Sequence, residues 1–186
     1  MKIKAQGVLN AASWIREQRG PAVLAKVLSH CGAGTRATVD AGIAINWHPV
    51  EEFVELLEAS EVEIGTGDGQ VAREIGAAGA RANLGRPLLR AAFFLARPAT
   101  LMNRIAAAWS KYNDDGTMLV HEFDKTHMVI ELAGIPNPSW LFCCSITGWM
   151  EEIGRAFKLG DPFVRHTECR GRDGSHCMWR VKFEEV

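Results

Sequence analysis

The chain has 186 residues, a formal net charge of −1, and 47% hydrophobic against 23% charged residues. This length favours one domain covering residues 1–186, with enough mass to bury a sizeable core. The absence of a basic excess argues against direct binding of nucleic acid, and no stretch of about 18 apolar residues predicts a membrane span. The N-terminal residues lack the apolar core of a signal peptide, so the cytoplasm is the expected location.

The helical part of the sequence extends over about residues 1–113. Apolar residues recur at helical spacing from Val8 to Arg19, and Pro21 stands where a proline can open a second helix. The Gly- and Thr-rich residues after Gly32 are predicted to form a connection. Further helices are predicted after Pro49, over residues 68–84 and over residues 99–112.

The pattern changes at Asp114, where residues of strand type replace the helical period. The predicted elements of this part, about residues 114–186, are two strands, a helix and two more strands: Thr117–Phe123, Thr126–Leu132, Trp140–Phe157, Phe163–Glu168 and His176–Phe183. The order strand, strand, helix, strand, strand favours an antiparallel sheet. The sequence therefore predicts an α+β fold in which an N-terminal helical layer packs on a C-terminal antiparallel sheet.

The five cysteines are unevenly placed, since only Cys31 lies outside the C-terminal part. An odd number of cysteines fits a reducing compartment better than a disulfide framework. The other four, at positions 143, 144, 169 and 177, invite two interpretations. They are either metal ligands or small buried residues, as free cysteines often are.

The stretch GWMEEIGRAFKLGDPFVRHTECRGRDGSHCMWRVKFEE resembles the 4-vinyl reductase domain family, which shares a fold with subunits of the vesicle-tethering (TRAPP) complex. The resemblance rests on Gly148-Trp149 in a helix, on Glu168-Cys169 at the end of an extended segment, and on a Cys-x7-Cys spacing that contains Gly174. The preceding helical part resembles, more weakly, a paralogous family of uncharacterised myxobacterial proteins.

The resemblance implies a structural zinc ion with three thiolates and one imidazole. Its ligands would be Cys143, His166, Cys169 and Cys177. His166 stands where the family has an acidic ligand, Cys144 is an adjacent alternative to Cys143, and His176 is an alternative imidazole. His166 and Cys169 are an odd number of residues apart, so a regular strand would place them on opposite faces. A bulge or a strand end after His166 is therefore expected.

The resemblance also implies an apolar pocket between the helices and the sheet. Its candidate lining residues are aromatic or methionine: Phe93, Phe94, Trp109, Tyr112, Met128, Trp140 and Trp149. Such residues at helical spacing more often belong to an ordinary core. His121 and His127, on the two predicted hairpin strands, are further candidates for a polar ligand contact.

Two functions follow from the resemblance. The first is a small-molecule sensor that acts through a partner protein, because no output module accompanies the domain. The second is a homodimeric scaffold of the TRAPP-subunit type without a ligand. The small residues of Ile75-Gly76-x-x-Gly79 predict a helical dimer interface in either case.

Sequence motifs give no indication of catalysis. The chain lacks a nucleophile elbow, a zinc-protease helix, a dinucleotide fingerprint and a kinase signature. The glycine-rich GTGDG at Gly65–Gly69 lacks the Lys-Ser/Thr of a phosphate-binding loop and is predicted to be a turn. Haem proteins of related fold type carry a Tyr-x-Ser-x-Arg signature, whereas the single tyrosine, Tyr112, is followed by Asn-Asp-Asp. The sequence thus gives no support for haem, and a small enzyme acting on a hydrophobic substrate stays a third, less favoured function.

Overall fold

The structure, a computed structural model, describes residues 1–84, 106–124, 126–156 and 161–183. The N-terminal part begins with a short strand, β1 (Lys2–Lys4), and two helices, α1 (Gln6–Arg19) and α2 (Pro21–Ser29). It continues with α3 (Ala33–Ala41), a second short strand β2 (Trp47–Pro49), α4 (Val50–Ile64) and α5 (Gln70–Leu84). Residues 106–112 are helical as well.

Helices α1 and α2 follow the apolar pattern of the sequence. Val8 and Ile15 are fully buried along the inner face of α1. The helix ends at Gly20, whose φ of 92° lies in the region that favours glycine. Pro21 then starts α2 at a position where its missing N–H costs no helical hydrogen bond.

Helix α3 departs from the sequence prediction, which assigned these residues to a connection. Its buried face is formed by two threonines, Thr35 and Thr38, rather than by large apolar side chains. The Thr35 hydroxyl donates to Glu55 on α4, and the Thr38 hydroxyl donates to Glu52 Oε2 at 2.6 Å. The helix is therefore held by polar contacts with α4, which an apolar period does not reveal.

The C-terminal part is a four-stranded antiparallel sheet backed by a long helix. Its strands are β3 (Thr117–Phe123), β4 (His127–Ala133), β5 (Phe163–Glu168) and β6 (Met178–Lys182), in the spatial order β3-β4-β6-β5. Helix α6 (Trp140–Ala156) lies between β4 and β5 in sequence, and a 3-10 turn (Arg170–Arg172) precedes β6. The predicted α+β fold and strand order are confirmed. The short strands β1 and β2, which pair with each other, were not predicted.

Helices α5 and α6 pack backbone against backbone. A Cβ atom added to Gly148 on α6 would lie 1.9 Å from the Arg73 carbonyl oxygen on α5, so only glycine permits this approach. The Arg73 guanidinium forms an ion pair with Glu151 across the same contact. Gly76 packs on Ser145 in the same way. Gly76, one of the small residues from which a dimer interface was predicted, thus forms a contact within the chain.

The buried residues of both parts form one contiguous cluster. The largest fully buried side chain is Trp179 on β6, whose indole N–H donates to the Thr147 hydroxyl of α6 at 2.8 Å. This bond joins the helix to the sheet beneath it. Among the described residues, none of the helices combines the length and apolar character needed to cross a membrane.

Candidate functional site

A cavity of about 180 Å³ lies between the N-terminal segment (residues 1–10), helices α5 and α6, and the inner face of the sheet. Helix α6 contributes an apolar stripe to its wall at the spacing i, i+4, i+8 and i+11. These residues are Phe142, Ile146, Met150 and Ile153. Side chains spaced three or four apart share one face of a helix, so the sequence of α6 directs them together into the cavity.

The sheet forms the opposite wall. Met128 and Ile130 on β4 are two residues apart and therefore lie on the same face. Val181 on β6 is the direct cross-strand partner of Met128, and Met118 on β3 completes this wall. Methionine side chains are flexible and polarisable, which lets them adapt to the outline of an apolar occupant.

Aromatic rings close the remaining sides. Phe142 meets Phe53 and Trp109 edge to face, each with ring centroids 6.2 Å apart. The Trp109 indole N–H donates to the Asp115 carbonyl oxygen at 3.0 Å. The Ser145 hydroxyl likewise donates to the Phe142 carbonyl at 2.8 Å. Because these polar atoms are bonded to backbone, the rings and the helix present mainly carbon to the cavity.

Polar side chains of the described wall come mainly from the N-terminal segment and α5. The Gln6 amide donates to Asn83 Oδ1 at 2.9 Å. Lys4 is the one charged residue of the described wall, and its ammonium group donates to the Ile45 carbonyl at 2.7 Å and lies 3.6 Å from the ring centroid of Trp47. The cavity is thus apolar with an amide pair at one side.

Four of the predicted pocket residues lie in this wall: Trp109, Tyr112, Met128 and Trp149. Trp140 does not, because it lines a second, more polar hollow and stacks under the Arg172 guanidinium at 3.4 Å. Phe93 and Phe94 lie outside the described residues. The sequence analysis missed Met118, Phe142, Met150 and the amide pair, although the spacing within α6 could have indicated Phe142 and Met150.

The two hairpin histidines lie away from the cavity. His121 pairs with Glu131 at 2.6 Å, and His127 lies 2.5 Å from Asp124 in the turn. Both side chains are more than 40% exposed. They therefore offer no ligand contact inside the protein.

Three of the four predicted metal ligands come together at the end of the sheet. The sulfur atoms of Cys143, Cys169 and Cys177 lie within 4.8 Å of one another, and those of Cys143 and Cys177 are 3.7 Å apart. His166 is not part of this group, since its ring stacks on Trp179 with centroids 4.6 Å apart. The expected irregularity is present as a register shift between His166 and Glu168, but it does not bring the imidazole to the sulfurs.

The thiols titrate unequally. The Cys143 thiol donates to its neighbours, which lowers the pKa of Cys169 to about 6, while the pKa of Cys143 itself is raised by the same bonds. The pKa of Cys177 is lowered, also chiefly by its hydrogen bond with Cys143. The hydrogen bonds from Cys143 thus favour the thiolate form of Cys169 over that of Cys143.

Cys144 and His166 face the second hollow together with Arg73 and Thr147. Burial raises the pKa of Cys144 to about 12, so it stays a thiol. Burial lowers the pKa of His166 to about 4, so its imidazole is neutral at physiological pH. The buried Nε2 atom of His166 has no hydrogen-bond partner among the described residues.

The sequence matches no known family and no curated protein. Solved structures are similar along the whole chain. An H-NOX protein from K. algicida, in its Fe(II) unliganded form, has a TM-score of 0.76 at 12% identity, covering 99% of this chain and 98% of its own. A mutant of T. tengcongensis H-NOX has a TM-score of 0.70 at 15% identity, covering 99% and 100%. A structure described as "Probing the function of heme distortion in the H-NOX family" has a TM-score of 0.69 at 16% identity, covering 99% and 97%.

These similarities overturn two expectations. The resemblance to the 4-vinyl reductase and TRAPP families, and with it the weaker myxobacterial one, is wrong, because H-NOX structures match the helical part and the sheet together. A Cys-x7-Cys hairpin is a local feature that different folds can carry. The expected zinc cofactor is contradicted as well, since the matched proteins are described with haem and Fe(II). In architecture, this chain has the H-NOX fold.

Proposed function

We propose that this chain is a sensor domain that binds a small molecule in its central cavity and acts through another protein. The observation that carries the proposal is the cavity itself, which is walled by aromatic and methionine side chains from both parts of the fold. A concave apolar space with a few convergent polar groups is the usual form of a small-molecule site. The similarity to H-NOX domains supports a sensing role.

Haem is the group that the fold implies, and the residues of this chain do not fit it. Proteins hold haem iron through His, Cys, Met paired with His, or Tyr. All six histidines belong to the described residues, and none of them lines the cavity: His30, His48, His121, His127, His166 and His176. The sequence of residues 85–105 adds no His, Cys or Tyr. The described wall offers the thioethers of its methionines without the histidine that accompanies methionine in haem proteins, and one phenol, that of Tyr112.

The N-terminal segment provides a route by which an occupied cavity can act on the protein surface. Ile3, Lys4 and Gln6 line the cavity, and the backbone N–H of Gln6 donates to the Ala44 carbonyl at 3.1 Å. Directly opposite, Lys4 pairs with Trp47 across the β1–β2 ladder.

The residues reached by this route carry exposed apolar side chains. Ile43, Ile45 and Trp47 are 60%, 74% and 42% exposed. An exposed apolar cluster is typical of a surface that meets another protein. A movement of the N-terminal segment would therefore be transmitted to Ile43, Ile45 and Trp47, where a partner protein can contact the domain.

Gly79 offers a direct test of the cavity. It lines the cavity, and an added Cβ atom would meet nothing within 4 Å. Gly79→Leu should fill the space, whereas Gly79→Ala should leave room while making a similar gain in helix propensity, about 1 kcal/mol. Toluene and haem are each titrated into the parent and both variants, followed by calorimetry and by visible absorption.

We expect a probe to bind the parent and Gly79→Ala, and to bind Gly79→Leu about tenfold or more weakly, a loss of about 1.4 kcal/mol. Binding of either probe with this pattern supports the cavity as the sensor site. If neither toluene nor haem binds the parent, or if both variants bind like the parent, the proposed function is wrong.

A further inference from the structure

We infer that the cavity takes an uncharged molecule of about the size of one aromatic ring, in place of the haem that this fold holds elsewhere. The inference rests on the proposed function and names the class of ligand. Three properties of the cavity support this inference: its volume, the aromatic and methionine side chains of its walls, and the scarcity of charged side chains in the described wall.

The volume of about 180 Å³ matches a single ring. An apolar cavity of about 150 Å³ lined by Leu, Ile and Phe accommodates benzene. Haem, with four pyrrole rings and two propionates, is several times larger than benzene. A ligand with one ring and a small substituent fills this space while α5 and α6 keep their close contact through Gly76 and Gly148.

The walls are suited to an aromatic occupant. Three thioether side chains, those of Met118, Met128 and Met150, face the cavity from the sheet and from α6. Contacts between methionine sulfur and aromatic rings contribute about 0.3–1.5 kcal/mol each. Phe53 and Phe142 already pack edge to face at 6.2 Å, which is the geometry that a further ring can extend.

A charged ligand finds one ionised group in the described wall, the ammonium group of Lys4, and this group is directed to the exposed Ile45 carbonyl. The described residues of the wall include no acidic side chain and no histidine, and the ammonium group of Lys4 is already engaged by the Ile45 carbonyl and the Trp47 ring. Removing a charge from water without a partner is very costly. The Gln6–Asn83 amide pair can still serve one neutral polar substituent, because an amide both donates and accepts hydrogen bonds.

The test compares two ligands of similar shape and different charge. Toluene and benzoate are titrated separately into the purified full chain by calorimetry, and haem is titrated in parallel and followed by its visible absorption. We expect toluene to bind with one molecule per chain, benzoate to bind about tenfold or more weakly because its carboxylate loses hydration, and haem to give no saturable one-to-one spectrum. Gly79→Leu should lose toluene and Gly79→Ala should keep it.

The outcomes separate this inference from the proposed function. Stoichiometric haem binding, or benzoate binding as tightly as toluene, overturns the inference but leaves a ligand-binding sensor. Failure of toluene, benzoate and haem alike to bind the parent overturns the proposed function and the inference with it. Because the central comparison uses the unaltered chain, it stands even if Gly79→Leu does not fold.

Discussion

Gly76 on α5 and Ser145 on α6 stand so close that a Cβ atom added to Gly76 would lie 1.8 Å from the Ser145 carbonyl oxygen. This carbonyl belongs to the backbone and cannot rotate away. The two helices would have to separate to admit even one methyl group. Since Gly76 and Ser145 also line the cavity, this contact fixes the distance between two of its walls.

Gly76→Ala should therefore destabilise the protein by about 1–3 kcal/mol, the usual cost of overpacking a core. The measurement is the free energy of unfolding in urea. Gly79→Ala, on the same helix but with open space at its Cβ position, is the matched control and should be neutral or stabilising. Equal effects of the two substitutions would contradict a backbone contact at Gly76.

The hydrogen bond from Trp179 to Thr147 gives a second prediction. Thr147→Val keeps the shape of the side chain but leaves the fully buried indole N–H without an acceptor. We expect a loss of about 1–3 kcal/mol in the free energy of unfolding, the cost of an unsatisfied buried donor. Thr147→Ser retains the hydroxyl and should lose less. A valine variant as stable as the serine variant would show that this bond contributes little.

The half-buried imidazole of His166 predicts a pH dependence of stability. Its pKa is lowered by burial from 6.5 to about 4 in the folded chain, so the unfolded chain binds more protons between these two values. The free energy of unfolding should therefore be insensitive to this group above pH 6.5, and should fall as the pH decreases from 6.5 towards 4. Urea unfolding across this range measures the effect. His166→Phe, which keeps a ring to stack on Trp179, should have a shallower dependence, and an unchanged slope would contradict the assignment.

Ligand binding should be detectable at the exposed cluster of Ile43, Ile45 and Trp47. The N–H groups of Ala5 and Gln6 donate to the carbonyls of Asn46 and Ala44, which joins the cavity wall to this segment. In saturating toluene, hydrogen exchange of peptides covering residues 1–10 and 41–50 should slow. The β5–β6 turn around Asp173 serves as the control and should be unaffected. Binding without any change in the N-terminal peptides would exclude this route.

The elements with a strong apolar period could be predicted from the sequence. Helix α6, the hairpin of β3 and β4, and β5 occur close to their predicted bounds. The clearest case is β4, where Met128, Ile130 and Leu132 are buried and apolar at a spacing of two residues. Helix α3 could not be predicted in this way, since Thr35 and Thr38 fill its buried face and bond to carboxylates of α4. Strands β1 and β2 have three residues each, too few for a period of two to be recognised.

The residues that line the cavity were harder to predict from the sequence than the fold was. Met128 and Trp149 were candidates for the pocket that the family resemblance implied, and they line the cavity. Gln6 and Met118 were not named, because their place in the wall depends on how the N-terminal segment closes over the sheet. The family assignment failed for a related reason. The Cys-x7-Cys hairpin is a short-range pattern, whereas the H-NOX similarity extends over the whole arrangement of helices and strands.

The indole of Trp109 and the hydroxyl of Ser145 both complete their hydrogen bonds on backbone carbonyls. These two hydrogen bonds of the cavity wall are therefore made without any contribution from a ligand. Neighbouring apolar side chains such as Ile146 can accordingly be exchanged for others of similar volume, usually at a cost below about 1.5 kcal/mol. Such a scaffold is evolvable, because substitutions in the cavity wall can change which ligand it selects while the fold stays the same.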